Sequence, residues 1–218
     1  MDLESFLRVF LPFLLGGAAL TIVISAAASV IGIGLGLLVA AGRLSGRALI
    51  SAPSALFVDF FRSTPFFVHL VWFFFALPIL TGLSLDAITT GIAALGVYSA
   101  AYFAEVFRTG ILAIPVGQRD AALAAGMTDR QAVRRIVLPQ AVRMVLPPMV
   151  NTLVVLVKDS SLFSVLGVAE LMYRAGAASQ FSSRPLVIMT VTGLIYIALT
   201  YPTTVLGSVL QRQVAKAT

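Results

Sequence analysis

Residues 120–139 read DAALAAGMTDRQAVRRIVLP, a polar, alanine-rich stretch in a chain of which 59% is hydrophobic. An alanine-rich helix is predicted over residues 118–125, and Gly126 is the residue type expected where such a helix ends in a left-handed conformation. Thr128, with Gln131 three residues later, matches a capping box, which predicts the start of a second helix. The stretch therefore predicts two short helices joined by a sharp turn and closed by Pro139.

The composition of the whole chain indicates an integral membrane protein. Only 11% of its 218 residues are charged, and so much apolar surface exceeds what one soluble core encloses. The chain contains no cysteine, which excludes disulfides and thiolate metal sites. Its net charge of +6 is attributed to contact with anionic lipid head groups and not to nucleic acid, because many basic residues flank hydrophobic runs. The first residues, MDLES, lack the basic region of a signal peptide, so the N-terminus is taken as mature.

Five membrane-spanning helices are predicted, because a bilayer core of about 30 Å requires about 20 helical residues. They run over residues 9–42, 51–80, 87–112, 141–156 and 185–211, and Pro12 is expected to help break a short entry segment that precedes the first spanning helix. Gly32 and Gly36 form a GxxxG pattern in the first span, which favours the close approach of another helix. A dinucleotide-binding loop is a poorer interpretation of these glycines, because no strand precedes them.

The distribution of basic residues predicts the orientation in the membrane, because cytoplasmic loops carry an excess of lysine and arginine. The residues that mark the cytoplasmic side are Arg43, Arg47, Arg119, Arg130, Arg134, Arg135, Arg143, Arg212 and Lys216. The N-terminus is therefore expected outside, the C-terminus in the cytoplasm, and residues 114–140 in a cytosolic loop. On its residue types alone, this loop is equally well interpreted as an amphipathic hairpin that lies on lipid.

The order of residues in this loop resembles the EAA signature of bacterial ABC importer permeases. The positions that carry the signature are Asp120, Ala121, Ala122, Gly126, Ile136, Leu138 and Pro139, with Asp120 in place of the usual glutamate. The flanking stretches RSTPFFVHLVWFFFALP (62–78), SAAYFAEVFRTGILAIPVGQ (99–118) and LPQAVRMVLPPMVNTLVVLVKDSSLFSVLGVAEL (138–171) are similar to permeases of the polar amino acid uptake family, of the histidine, glutamine and arginine type.

This resemblance implies an all-α integral membrane protein like the type I importer permeases, with one permease domain over residues 1–218 and a coupling loop over residues 114–140. It implies two ATP-binding subunits, a second permease copy or paralogue, and an extracytoplasmic solute-binding protein as partners, in a bacterial inner membrane. The chain has no GxxxxGK[ST] phosphate loop, so ATP and Mg²⁺ are expected on the partner and no cofactor or enzymatic activity in this chain.

Polar residues inside predicted spans are candidates for the substrate path, because a charge at mid-bilayer costs about 2.5–3.5 kcal/mol on insertion scales. The candidates are Thr64, His69, Glu105, Asp159, Ser160 and Ser161. Thr64 precedes Pro65, which disfavours helical geometry and exposes polar backbone. His69 is equally well explained as a packing residue. Glu105 is three residues from Arg108, which favours an ion pair.

Residues 158–162, KDSSL, collect an ammonium, a carboxylate and two hydroxyls at a helix end, and a cradle for a zwitterionic substrate is predicted there. The alternative is a helix end solvated at the outer surface. Asp59 and Arg62, three residues apart on one helix, are expected to neutralise each other.

Three other functions compete with that of an ATP-driven importer of polar amino acids. A secondary transporter driven by an ion gradient usually has an inverted repeat, and none is recognised here. A membrane enzyme needs a nucleophile and base or a metal cluster, and one histidine with scattered carboxylates gives little support. A permease subunit that packs beside a substrate-binding partner without binding substrate itself remains an open alternative.

Overall fold

A computed structural model describes residues 6–217 of the chain, and all of the regular structure in that range is helical. The expectation about the N-terminus concerns residues 1–5, which lie outside the described range. The α-helices are α1 (Leu11–Arg43), α2 (Ala48–Ser63), α3 (Phe66–Val71), α4 (Leu77–Thr81), α5 (Ala87–Leu112), α6 (Val116–Ala124), α7 (Asp129–Ala132), α8 (Leu138–Asp159), α9 (Leu171–Ser182) and α10 (Pro185–Ala217).

Within the described residues, four single helical stretches are long and apolar enough to cross a membrane. They are Arg8–Arg43, Ala87–Leu112, Asp129–Leu166 and Pro185–Val214. The remaining predicted span is a pair of helical segments, Ala48–Ser63 and Phe66–Thr81, bent by 104° at the break between them. The prediction of five spans is confirmed if this bent pair is counted as one span.

The bend in the second span lies at Thr64 and Pro65. Thr64 ends α2 in an extended conformation, with φ −121° and ψ 138°. The ring of Pro65 disfavours helical geometry at the residue before it. The predicted interruption of the second span by Pro65 is therefore confirmed.

The break of the entry segment predicted at Pro12 and the helix end predicted at Pro139 are wrong, because both prolines lie within continuous helical stretches, Arg8–Arg43 and Asp129–Leu166. Each proline is preceded by a π-helical turn, Phe6–Phe10 before Pro12 and Val133–Val137 before Pro139. In the second case the amide of Leu138 donates to the carbonyl five residues back. The wider turn accommodates a ring that has no N–H to donate and that would otherwise clash with the carbonyl four residues earlier.

The third span starts where the sequence predicts, after Asp86. This residue caps α5, and its carboxylate accepts hydrogen bonds from the amides of Ile88 and Thr89 at 3.0 and 3.1 Å. The hydroxyl of Thr89, the strongest influence, and these amides hold the pKa of Asp86 below its usual value. The cap satisfies amides that the first turn of a helix leaves without intrahelical partners.

The centre of the fold is the pairing of α1 with α5, which have the most extensive contact of any two helices described. A Cβ atom added to Gly36 would lie 2.7 Å from Cβ of Phe103 and 3.1 Å from the carbonyl oxygen of Ala100. The predicted GxxxG contact is therefore confirmed as packing within the chain. Gly34, on another face of α1, has no atom within 4 Å of an added Cβ, and neighbouring Val30 and Leu38 are more than 70% exposed.

Candidate functional site

The coupling loop is built around a left-handed glycine. Helix α6 ends at Ala124, and Gly126 follows with φ +82°. The amide of Met127 donates to the carbonyl of Ala122 at 3.1 Å, which satisfies a carbonyl at the end of the helix. This is the helix end that the sequence predicts at Gly126, and an L side chain at that φ is strained.

The second helix of the coupling loop begins with the predicted capping box. The amide of Gln131 donates to Oγ1 of Thr128 at 3.4 Å, and the amide of Thr128 donates to Oε1 of Gln131 at 2.9 Å. The expectation that this helix is short is wrong, because α7 continues through the π-helical turn into α8 as one rod from Asp129 to Leu166. The coupling loop is therefore joined to the fourth span without a flexible break.

An ion pair that sequence reasoning missed joins the two arms of the loop. Nε of Arg119 on α6 donates to Oδ1 of Asp129 at the start of α7, at 2.9 Å. Both side chains are largely exposed, at 48% and 63%. The two residues are ten apart in sequence, so no helical periodicity indicates their contact. The pair links α6 to α7 on the open side of the turn.

The seven signature residues divide between the inside and the outside of the loop. Ala122 is buried and Ile136 is half-buried. The exposed residues are Asp120, Ala121, Gly126, Leu138 and Pro139. The exposed surface of α6 includes the small residues Gly117, Ala121 and Ala124 among larger ones, and at these small residues a partner can approach the backbone closely.

A cluster of charges lies at the end of α5 that leads into the coupling loop. The Glu105 carboxylate forms ion pairs with Arg43 at the end of α1 and with Arg108, the latter at 2.6 Å. The ion pair expected between Glu105 and Arg108 is confirmed. The expected neutralisation of Asp59 by Arg62 is not found among the ion pairs of the described residues, and the Arg62 guanidinium instead lies 5.7 Å from the ring centroid of Tyr102.

A pocket of about 170 Å³ lies between α5 and α8. Its lining residues are Tyr98, Tyr102, Asn151, Thr152, Val155, Leu156 and Asp159. The two tyrosine hydroxyls are hydrogen-bonded to each other at 2.9 Å. Asp159 is the one charged residue of this lining, so the pocket combines a carboxylate, an amide and hydroxyls with apolar walls. These groups are suited to binding a small polar cation or zwitterion.

The predicted cradle of consecutive residues at 158–162 is not formed as one site. Lys158 is exposed, and Ser160 is fully buried, with its Oγ donating to the carbonyl of Val157 at 2.8 Å. Ser161 is half-buried and does not line the pocket. The α-helix ends at Asp159 and a 3-10 helix follows from Ser160 to Leu166. Asp159 alone of this group lines the pocket. Its companions come from the preceding turns of α8 and from α5.

Thr64 and His69 lie on the broken second span. Oγ1 of Thr64 donates to the carbonyl of Phe60 at 3.0 Å. His69 is 5% exposed and is surrounded by the rings of Phe60, Phe61 and Tyr98, with centroids 4.7 to 5.7 Å away. Its Nε2 atom has no hydrogen-bond partner among the described residues. His69 therefore supports the wall of the pocket through Tyr98 and does not line the pocket itself.

Glu170 is a buried polar residue that sequence reasoning missed. Its side chain is fully buried and accepts from the amides of Met172 and Tyr173 at 2.9 and 2.8 Å and from the hydroxyls of Thr21 and Tyr196 at 3.3 Å. Burial raises the pKa of this carboxyl, although these hydrogen bonds oppose the shift. Glu170 ties α9 to α1 and α10. An acid at the start of α9 was a visible cap signal, but its partner in α1 is 149 residues away.

The sequence and the fold were compared with known proteins. The family model described as "Binding-protein-dependent transport system inner membrane component" matches residues 32–216. The chain belongs to this family. It is therefore a membrane-spanning permease subunit of a binding-protein-dependent transport system, and a multi-pass protein of the inner membrane.

Individual relatives cover nearly the whole permease. The arginine transport system permease protein ArtQ of Bacillus subtilis (strain 168) is 34% identical over 206 residues, which is 93% of each chain. The glutamate/aspartate import permease protein GltK of Escherichia coli O6:H1 is 34% identical over 212 residues, 94% of this chain and 95% of the relative. A crystal structure of an amino acid ABC transporter with histidines is 30% identical, with a TM-score of 0.89 over 98% of this chain and 99% of that one. The resemblance and the fold class predicted from the sequence are confirmed.

Proposed function

We propose that this permease imports an amino acid with a polar side chain, delivered by an extracytoplasmic binding protein and driven by ATP hydrolysis in separate subunits. The names of the relatives support an amino acid as cargo. They leave the charge of its side chain open, because the arginine permease and the glutamate/aspartate permease are each 34% identical to this chain.

The observation that carries this proposal is the shape of the coupling loop. The exposed helix α6, which carries small residues at Gly117, Ala121 and Ala124, is joined through a left-handed turn to a rod that continues into the fourth span, and an exposed ion pair links the two. A partner that pushes on α6 would move that span directly. Two ATP-binding subunits, one for each of two permease copies or paralogues, would bind the loops, with ATP and Mg²⁺ held on those subunits.

The mechanism follows from two states of one permease domain, residues 1–218. The N-terminus is outside and the C-terminus is in the cytoplasm, so residues 114–140 meet the ATP-binding subunits. Closure of these subunits on ATP moves the coupling loop and opens the pocket to the binding protein. Hydrolysis returns the pocket to the inward-open state. Import requires that the pocket bind the amino acid with different affinity in the two states.

The substrate path runs along α5 and α8, from the pocket at Asp159 towards the charged cluster at Glu105. The Asp159 carboxylate would accept hydrogen bonds from the α-ammonium group of the amino acid. The tyrosine hydroxyls and Asn151 would bind the polar groups of the same amino acid and orient it. Thr64, His69, Ser160 and Ser161 would act behind this surface, by holding the bend of the second span and the end of α8 in shape.

The coupling proposal is tested by enlarging one side chain on the exposed face of α6. Ala121→Trp should reduce ATP-driven uptake by about tenfold or more, because a bulky residue at an interface core separates the packed surfaces. Ala52→Trp, at an exposed position of α2, is the matched control. Uptake and ATP hydrolysis are measured in proteoliposomes that contain the complete complex. Equal uptake by Ala121→Trp and Ala52→Trp would contradict docking on α6.

A permease that packs beside a substrate-binding partner is the second candidate, and a charge-neutralising substitution separates the two. Asp159→Asn should lower uptake by about tenfold or more, because a hydrogen bond to a charged group contributes about 1.5–3 kcal/mol. Lys158→Gln, which changes the exposed neighbouring residue, should leave uptake near wild type. Uptake by Asp159→Asn equal to that by Lys158→Gln would favour the packing role.

A further inference from the structure

The cytosolic ends of α8 and α10 enclose a cleft that the transport mechanism does not use. The two helices are in close contact at Gly207, where an added Cβ would lie 3.1 Å from Cγ1 of Val150. One to two turns nearer the cytosolic ends, they are separated by a pocket of about 230 Å³. Its lining residues are Arg143, Leu146, Leu210, Gln213 and Val214. The missing side chain at Gly207 thus sets the closed end of the cleft.

The cleft extends towards the coupling loop. A second pocket of about 90 Å³ shares Arg143 and Val214 with the first and reaches Pro115, the residue before α6. Arg143 lies between the two pockets, on the second turn of α8. Any molecule that fills both pockets would contact the fourth span, the fifth span and the start of the coupling loop at once.

Within residues 6–217, the positive charge of Arg143 in the cleft has no acidic partner. Arg43, Arg108 and Arg119 are ion-paired with carboxylates, whereas Arg143 has no ion pair among the described residues. Neither pocket is lined by an acidic residue. Below Arg143, in the direction of the membrane, the wall is formed by Leu146 and Leu210. The cleft therefore has a cationic mouth and an apolar floor.

We propose that this cleft binds one anionic phospholipid of the cytoplasmic leaflet. The Arg143 guanidinium forms paired hydrogen bonds with the lipid phosphate, a geometry in which arginine is favoured over lysine. The amide of Gln213 binds the polar head group, and an acyl chain lies against Leu146 and Leu210. Basic pockets between spanning helices on the cytoplasmic side are suited to such head groups. The assignment to the cytoplasmic leaflet rests on the proposed orientation.

Lipid in this cleft would couple membrane composition to transport. The head group would lie beside Pro115 and the start of α6, and the acyl chain would fill the cleft between α8 and α10 at Leu146 and Leu210. Occupancy would thereby hold the fourth span in position relative to the coupling loop. A membrane without anionic lipid should leave the permease folded but lower its response to ATP.

The binding of lipid is measured on the complete transporter complex in nanodiscs of phosphatidylcholine with added phosphatidylglycerol. After transfer to detergent, native mass spectrometry counts the phosphatidylglycerol molecules that stay bound to each complex. Arg143→Gln should retain about fivefold less phosphatidylglycerol than wild type, the effect expected for one basic residue at an anionic surface. Arg47→Gln, which removes another exposed cytosolic arginine, should retain the wild-type amount.

A second substitution tests the same cleft without removing Arg143. Gln213→Glu places a carboxylate at the mouth of the cleft and should also lower retention of phosphatidylglycerol, because it repels the phosphate. It serves as the deciding variant if Arg143→Gln does not assemble. Wild-type retention in both variants, or an equal loss in Arg47→Gln, would overturn the proposal.

Two further measurements separate the lipid from other anions. Inorganic phosphate should not displace the retained phosphatidylglycerol, because it lacks the chain that lies on Leu146 and Leu210; complete displacement would assign the cleft to free anions. Arg143→Gln should lower ATP-driven uptake in membranes with phosphatidylglycerol and have little effect in pure phosphatidylcholine. An equal loss of uptake in both membranes would instead indicate that Arg143 pairs with an acidic residue of a partner protein.

Discussion

The α1–α5 pair and the coupling loop both depend on glycine, for opposite reasons. In α1, Gly36 is required because neighbouring atoms leave no space for a side chain. In the coupling loop, Gly126 has no atom within 4 Å of an added Cβ, and only its φ of +82° requires glycine. The first glycine makes a rigid support within the membrane. The second makes a turn whose surface stays open for a partner.

The two regions also differ in how their charges are paired. Glu105 joins α1 to α5 through Arg43, and both side chains are 18% exposed. Arg119 and Asp129 join α6 to α7 on the open surface. The rigid pair is thus held by partly buried charges and packed backbones, while the coupling loop is held by local hydrogen bonds and one exposed ion pair. Substitutions should therefore affect stability in the first region and coupling in the second.

The largest effect is expected in the rigid pair. Gly36→Leu should lower the free energy of unfolding by about 3 kcal/mol, at the upper end of the usual cost of overpacking, because the new side chain meets Phe103 and the backbone of α5. Gly34→Leu, two residues away and facing open space, should be neutral or slightly stabilising. Thermal unfolding in detergent compares the variants, and similar midpoints for the two would contradict the role assigned to Gly36.

The next effect is expected at the turn of the coupling loop. Gly126→Ala should cost about 1–2 kcal/mol in the native turn, because an L residue is strained at positive φ. Its consequence should be weaker stimulation of ATP hydrolysis by loaded binding protein, with the protein still in the membrane. Gly117→Ala lies within α6, where alanine is favoured, and should behave as wild type. Full stimulation in Gly126→Ala would show that the turn geometry does not matter for coupling.

The smallest effect is expected from the exposed ion pair. Arg119→Gln should change stability by less than about 1 kcal/mol and lose its effect at high salt, as surface ion pairs do. Arg43→Gln should lower the free energy of unfolding by more than Arg119→Gln does, and this loss should depend less on salt. The reason is that it leaves the partly buried Glu105 with one cation fewer. Both are measured by chemical unfolding at low and high ionic strength. A larger cost for Arg119→Gln would reverse the contrast between the regions.

The sequence predicted those features that rest on local chemistry. The helix end at Gly126, the capping box at Thr128, the break at Pro65 and the start of α5 at Asp86 each depend on residues within one turn. The contact at Gly36 was also predicted, because a glycine pair in a spanning helix has few other uses.

The features that were not predicted from the sequence depend on whether a helical turn is an α-turn or a wider π-turn, or on contacts between residues far apart in the chain. The sequence around a proline does not show whether a π-helical turn will precede it and let the helix continue. The breaks expected at Pro12 and Pro139 were wrong for this reason. Of the cradle predicted at 158–162, only Asp159 lines the pocket, because the α-helix ends at this residue and the next side chains point in other directions. Tyr98 and Tyr102, which line that pocket, are four residues apart on α5, and this spacing was a signal that could have found them.

The central claim is that the coupling loop transmits work from an ATP-hydrolysing partner to the spans of this permease. The most direct test measures uptake of amino acids into proteoliposomes that contain this chain with loaded binding protein, with and without the ATP-binding subunits. Uptake should require both those subunits and ATP. Accumulation of an amino acid by the permease without them, driven by an ion gradient, would contradict the account.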